Sequence, residues 1–458
     1  MSASLEKITA TLTQLAMQKG AVDADAITVS NISESISIRH GNTESLERSD
    51  SQGTGLRLFI RKTNGVAFAS ASTSDFSAEG LQRLVDQVWE MAQISEPDPD
   101  AVLPSGAAHP SDEEIAIWKK EHPEHDEPWQ TTQARDAAIA CEAAALHASD
   151  LISNSEGASA AFGISQIAYA NAEGFHAEYQ KTSVSLSCSV IAGSGDEMQR
   201  DYSYRRAHAA EDLPSAKMIG EEAAMRTVRR LHAQSMTGGN MPVVFEPRVA
   251  TSILGHLISA INGRAILQKR SFLSDALNLP IFPDFITIED HPNHPDGLGN
   301  RLFDGEGTRC KPLTIIDHGV LQAFLTDRYA AGRLNSTPTG HASRGLTGDT
   351  SIGTSNVILH PGEYSPEEIY QDIGNGLLVT ELIGFGVNGV TGDYSRGAAG
   401  FLIENGALTK PVHEITIAGN LHEMFAGITH IGRDLTWFGS MATPTIAFAN
   451  LAVAGDDK

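Results

Sequence analysis

Gly376-Leu-Leu-Val-Thr-Glu-Leu-Ile-Gly384, continued by Phe385-Gly386-Val387-Asn388-Gly389-Val390-Thr391-Gly392-Asp393-Tyr394-Ser395-Arg396-Gly397, decides how the second half of this chain is read. Leu377–Ile383 is a short apolar run closed by glycine, the pattern of a buried strand. Gly384, Gly386 and Gly389 then repeat the G-x-G-x-x-G spacing of a dinucleotide-binding turn. That chemistry also needs a helix whose first amides meet the pyrophosphate. No helical stripe follows here, only two more glycines and a polar run, so a close-packed turn is the better account. Short apolar runs such as Leu313–Ile316, punctuated by Gly, Asn, Asp and Pro, extend the same texture. Residues 241–458 therefore read as a mostly β, Gly-rich domain with helices at Pro247–Asn262 and Pro366–Asn375, the latter opened by Ser365.

Upstream, strands and helices alternate. Leu5, Ile8, Leu12 and Leu15 mark an amphipathic helix. Ile27–Ile38 and the Leu56, Leu58, Ile60 alternation read as strands, and Asn64-Gly65 supplies a hairpin turn into Val66–Ala71. Leu81, Leu84, Val85, Val88, Trp89 and Ala92 line one helix face behind an N-cap at Ser77. From Glu96 to Thr132 six prolines and many acids break every period, and this stretch (96–132) reads as a surface excursion. A helix at Ala134–His147, a strand pair over Gly163–Val190 turning at Asn171–Gly174, and a helix at Ser215–His232 complete a domain 1–237. Gly238-Gly239-Asn240 reads as the linker. The fold class is α+β, in two domains.

The 458 residues carry 33 Lys+Arg against 57 Asp+Glu, a formal charge of −24. That balance argues against nucleic acid as a partner and against docking on an anionic membrane. Cys141, Cys188 and Cys310 are too few and too scattered for a secreted disulfide framework. The first twenty residues lack an apolar signal core, and no run of about 18 uncharged apolar residues occurs. The expected location is the cytoplasm.

Local motifs offer little chemistry. HExxH is absent, and His422-Glu423 with His430 are two helical turns apart unless Gly427 breaks the helix. His122 with His125 and His291 with His294 are tighter pairs, with Asp126, Asp290 and Asp296 nearby. Each pair reads either as a polar loop or as part of a metal site. There is no G-x-S-x-G elbow, no Walker A segment and no EF-hand loop.

The second half nonetheless resembles a known family. Phe303-Asp-Gly-Glu-Gly-Thr308, Ser355-Asn-Val-Ile-Leu359, Gly376–Gly384 with Thr391–Gly397, Ala399-Gly-Phe-Leu-Ile-Glu404 and Pro411–Asn420 occur in the order of the TldD/PmbA family. The resemblance covers about Phe245 to Gly455. It implies two branches that pair in one complex. In the TldD branch a helix carries H-E-x-x-x-H, and both histidines with a later cysteine are understood to hold zinc. The corresponding segment here reads Thr251-Ser252-Ile253-Leu254-Gly255-His256, and Phe438-Gly-Ser-Met441 stands where the cysteine belongs. Thr251 and Ser252 replace a ligand and the general acid/base, and only His256 is retained. A catalytic zinc needs about three protein ligands.

The resemblance thus implies the TldE/PmbA branch: no cofactor bound by this chain, zinc in a TldD-like partner subunit, and a peptide as substrate of the pair. Metallopeptidase activity is expected only in that complex, and a homodimer of the chain when alone stays open. His256, Asn388, Asp393, Ser395 and Arg396 are the candidate groove or interface residues; for the last four, turn chemistry is the alternative. Two rival functions remain. One is a self-sufficient metallohydrolase using His291, His294 and Asp290. The other is a binding protein acting indirectly on DNA gyrase, in line with the family's older label.

Overall fold

Side-chain alternation organises the first sheet. The computed structural model describes residues 4–124 and 127–455. Helix α1 (Leu5–Lys19), capped by Ser4, leads into β1 (Asp23–Arg39), β2 (Asn42–Lys62) and β3 (Gly65–Thr73). Helices α2 (Ala78–Ile94), α3 (Asp112–Glu121) and α4 (Thr131–His147) follow. Strands β4 (Ile152–Asn171), β5 (His176–Ala192) and β6 (Gln199–Ala207) come next, then α5 (Ala216–Val228). The strands form one antiparallel sheet, ordered β3-β2-β1-β4-β5-β6. Ala24 and Ala26 join Leu56, Leu58 and the apolar stripes of α1 and α2 in one core. Asp25, one residue out of phase, points to the opposite face. Helices α4 and α5 cover β4 and β5 through Ala138, Cys141, Ile219 and Ala223 against Phe162, Ile164, Leu186 and Val190.

The stretch 96–132, read as a surface excursion, carries the helix α3, which no period in the sequence indicates. Ser111 and Glu114 form a reciprocal capping box that starts α3 despite the flanking prolines. Trp118 of that helix is buried against Tyr179, Leu302 and Phe303, tying the segment to both halves. Two buried tryptophans, Trp118 and Trp129, rather than a helical stripe, anchor it. That is why periodicity misses it.

Gly239 and Asn240 already pair as strand with Val453 and Ala452, within β7 (Gly239–Phe245). β7 runs parallel to Gly376–Ile383, whose other neighbour is Asp393–Glu404. Next come Ala407–Asn420 and, on the far side of β7, Ile446–Ala454. Thr416 to Ala418 pair with Ala452 to Ala454, so this sheet closes on itself. Gly400 sits where a Cβ would meet the Leu378 carbonyl at 1.8 Å, so the close approach admits no side chain. Helix α6 (Pro247–Ala260), with Pro247 in its first turn, buries Val249, Ala250, Ile253, Leu254, Leu257 and Ala260 in the main core of this half. Each larger one of these contributes roughly 1.5–3 kcal/mol on burial. Ser365 caps the helix Pro366–Ile373 by a second capping box. A mostly β second half after a mixed first half is an α+β fold. Among the described residues no helix is long and apolar enough to cross a membrane.

Candidate functional site

With its apolar stripe fixed in the core, α6 turns Ser252 and His256 to a common side, since residues four apart share a helix face. Thr251 does not join them: its hydroxyl donates to the Arg248 carbonyl at 2.8 Å. Across from α6, the alternation of strand Asp393–Glu404 puts Tyr394 and Arg396 on one face, and exposed Asp393 and Ser395 on the other. Tyr394 is 2% exposed, and its ring meets the His256 imidazole edge-on at 5.9 Å between centroids.

The polar atoms gathered here are unusual in having no hydrogen-bond partner. Among the described residues Ser252 Oγ, His256 Nε2 and Arg396 Nε are shielded from solvent and unbonded, while the Tyr394 hydroxyl lies beside the Arg396 guanidinium. Buried polar groups are bonded in the large majority of cases, and each one left over costs roughly 1–3 kcal/mol. Burial lowers the His256 pKa, and the Arg396 cation lowers it further, so the imidazole is held neutral. Burial likewise pushes the Tyr394 hydroxyl up to about 12 against the opposing pull of Arg396.

Ser252 and Arg396 line a cavity of about 280 Å³ between the first sheet and the closed sheet. Its walls also hold Arg200, Arg230 and Arg248, with Asp201 and Glu381. Arg248 reaches Asp201 at 3.1 Å, and Arg230 reaches Glu381 at 2.6 Å. Burial acts to raise the Asp201 pKa, but Arg248 and Arg226 outweigh it and hold the carboxyl below its ordinary range. Arg226, Arg229 and Arg248 converge on Glu246, the N-cap residue of α6. This network joins β6 and α5 to β7 and α6, fixing the cavity walls. Sequence reasoning singled out none of Tyr394, Arg230, Arg248 and Asp201. For Tyr394 the signal was available, since it stands two residues from Arg396 in a strand.

The other candidates are scattered. Asn388 and Asp393 do turn chemistry: Asn388 Oδ1 accepts from the Val390 amide at 2.9 Å, and Asp393 Oδ2 from the Thr391 hydroxyl at 2.6 Å. Ser395 is exposed, and its amide donates to the Gly386 carbonyl at 2.7 Å. A Cβ on Gly386 would lie 2.0 Å from the Ser395 carbonyl, so the glycine spacing serves close packing. His291 and His294 stand edge-on, 5.9 Å apart, while Asp290 is committed to His341 at 3.0 Å and to the Ser355 amide. His122 bonds Asn293 at 2.8 Å; His125 and Asp126 lie outside the described residues. Gly427 does end the helix Leu421–Ala426, and His430 pairs with Asp372 at 2.8 Å. Among the described residues no three His, Cys, Asp or Glu side chains are grouped to hold a metal ion.

Elements that look functional in sequence are partly scaffold. Asp304 accepts from the amides of Glu306 and Thr308 at 2.9 Å and of Ala342 at 3.0 Å, folding the Phe303–Thr308 loop. Gly307, at φ +71°, packs against Tyr169 of β4. Asn356 bridges Gly299, Asn300 and the His291 carbonyl.

Comparison with known proteins gives a consistent result. Profiles of the PmbA/TldA metallopeptidase family match in three blocks: domain 1 over residues 24–92, the central domain over 124–231, and the C-terminal domain over 238–455. The Metalloprotease PmbA of Escherichia coli is 35% identical over 97% of this chain and 95% of its own length. A Metalloprotease PmbA homolog of Haemophilus influenzae is 33% identical over 97% and 94%. A crystal structure from Bacteroides thetaiotaomicron, described as a candidate modulator of DNA gyrase, superposes with a TM-score of 0.88. It is 27% identical and covers 99% of this chain and 100% of that one. TldE from Thermococcus kodakarensis shares the fold at a TM-score of 0.82, with 20% identity, over 97% and 99%.

Proposed function

This chain belongs to the PmbA/TldD metallopeptidase family, and on that premise we propose that it is the metal-free, TldE-type subunit of a heteromeric metalloprotease in the cytoplasm. The observation that carries this reading is the side-chain set on α6. Thr251, Ser252 and His256 stand where the resemblance expects two zinc ligands and a general acid/base. They supply one imidazole and two hydroxyls, one of them tied to the helix backbone. A guanidinium beside that imidazole, Arg396, opposes a dication further. Such a set does not fit a catalytic zinc, which takes about three protein ligands with an open position. Nor does a serine hydroxyl replace a carboxylate as a base near neutral pH.

The chain then contributes enclosure and positioning of a peptide, and a metal-bearing TldD-like subunit contributes the hydrolysis. The test is peptide cleavage by the purified chain alone, by a TldD-like subunit alone, and by the two mixed. Activity restricted to the mixture, abolished by a chelator, is the expected result. Chelator-sensitive cleavage by this chain alone would overturn the reading, and His291 and His294 would be the first positions to substitute.

A further inference from the structure

One guanidinium at the α6 cavity has no answering charge. Arg230 and Arg248 are matched by Glu381 and Asp201, and Arg200 by Glu156 at 3.3 Å. Among the described residues Arg396 makes no ion pair, and its Nε and the Ser252 hydroxyl beside the same cavity are buried without a bond. We propose that this cavity binds the carboxylate of a peptide, with Arg396 as its counter-charge and Ser252 as a further donor. The inference rests on the reading of this chain as the peptide-handling subunit, and it names what part of the peptide is held.

The chemistry of the unbonded atoms selects the ligand. Of the unbonded groups, Arg396 and Ser252 line the cavity; arginine only donates, and a serine hydroxyl donates readily. A group rich in acceptors satisfies them, and a cation is repelled. The walls carry four arginines and two carboxylates, in a chain whose overall charge is −24. With three of the arginines already paired, the site lacks one negative charge. That fits a monoanionic carboxylate gripped by a planar fork better than a phosphate dianion. Outside the cavity lining, Phe385 is 97% exposed with its ring centroid 6.0 Å from the Arg396 guanidinium. An apolar ring beside an anion site suits a peptide side chain next to its charged group.

The carboxylate has two sources, the C-terminus or an Asp or Glu side chain. Calorimetric titration of the full chain with N-acetyl-tetraalanine, with its C-terminal amide, and with the amidated peptide carrying one Glu separates them. The expected result is that a free terminal carboxylate or the Glu peptide binds about tenfold or more tighter than the neutral amide. A preference for the first assigns the terminus and for the second the side chain; either supports the proposal. Arg396→Gln is expected to abolish the preference, and Arg396→Lys to keep part of it. A readout that needs no variant is the His256 imidazole signal in the wild-type chain. Bound carboxylate places a negative charge near it, so its pKa is expected to rise. Equal binding of acid and amide, an unmoved His256 titration, a preference surviving Arg396→Gln, or tighter binding of inorganic phosphate would each overturn the proposal. Failure here with no zinc in the purified chain leaves the subunit reading standing; stoichiometric zinc contradicts that reading instead.

Discussion

Asp25 and Arg396 are both charged groups set where the first sheet meets the second half, and the fold finishes them in opposite ways. Asp25 is fully buried and takes Arg57 through two bonds at 3.1 and 2.8 Å, the Tyr169 hydroxyl at 3.2 Å and Arg344 at 2.7 Å. Burial works to raise its pKa, but Arg344 and Arg57 outweigh it and keep the carboxyl ionised below its ordinary range. Among the described residues Arg396 makes no ion pair, and its Nε is buried without a bond. The first cluster draws from β1, β2, β4 and the loops around Glu306 and Arg344, and its Asp25 and Arg344 side chains are fully buried. The second opens on a cavity. The contrast teaches that a buried charge with its counter-charge supplied in the chain serves as a joint. One left without its counter-charge, beside open space, is set up for a ligand.

Removing the shared carboxylate should show the joint most strongly. Asp25→Asn leaves two buried guanidinium groups facing each other, and should cost about 3–5 kcal/mol in urea unfolding. A loss under about 1 kcal/mol would mean that the cluster does not join the halves. Trp118→Ala removes the aromatic anchor of α3 within the 96–132 segment. It should cost about 3 kcal/mol and expose that segment to limited proteolysis.

The pH profile sharpens the comparison further. Burial, and then Asp304, push the Glu306 carboxyl up from 4.5 to about 7. The folded chain therefore holds a proton that the unfolded chain has released between those values. Stability from this group is full below about pH 4.5 and is lost as pH rises through about 7. Asp25 acts in the opposite sense, its contribution being lost below pH 3.8. Melting curves should show wild type losing about 2 kcal/mol of stability relative to Glu306→Gln between pH 5 and pH 7.5, on top of the opposite slope from partly buried His256. Parallel pH profiles of the two chains would assign the titration to another group. The smallest stability effect is expected at the open cluster, where Arg396→Gln removes no ion pair. A change within about 1 kcal/mol is the expected outcome. A loss as large as that of Asp25→Asn would erase the distinction between joint and receptor.

Much of this architecture is legible in the sequence wherever local rules act alone. Ser77, Ser215 and Ser365 accept from the third amide of their helices, and the Asn64-Gly65 turn joins β2 to β3. The stripe of α6 and the turn after Ile383 are likewise readable. What the sequence hides is convergence. α3 has one buried side chain, so it has no period to detect. The cavity draws Arg200 and Asp201 from β6, Arg248 and Ser252 from α6, and Arg396 from a strand almost two hundred residues away from β6. Among the candidates, His256 and Arg396 do stand together, whereas Asn388 and Asp393 are spent on their own turn. The spacing of Ser252 and His256 shows a shared face. It does not show that Tyr394 completes it.

The most direct test of the central claim is the zinc content of the chain purified alone, with neither metal nor chelator added. The subunit reading predicts far less than one zinc per chain, with metal appearing only when a TldD-like subunit co-purifies. A reproducible value of roughly one zinc per chain would contradict it and reassign the metal to residues of this chain itself.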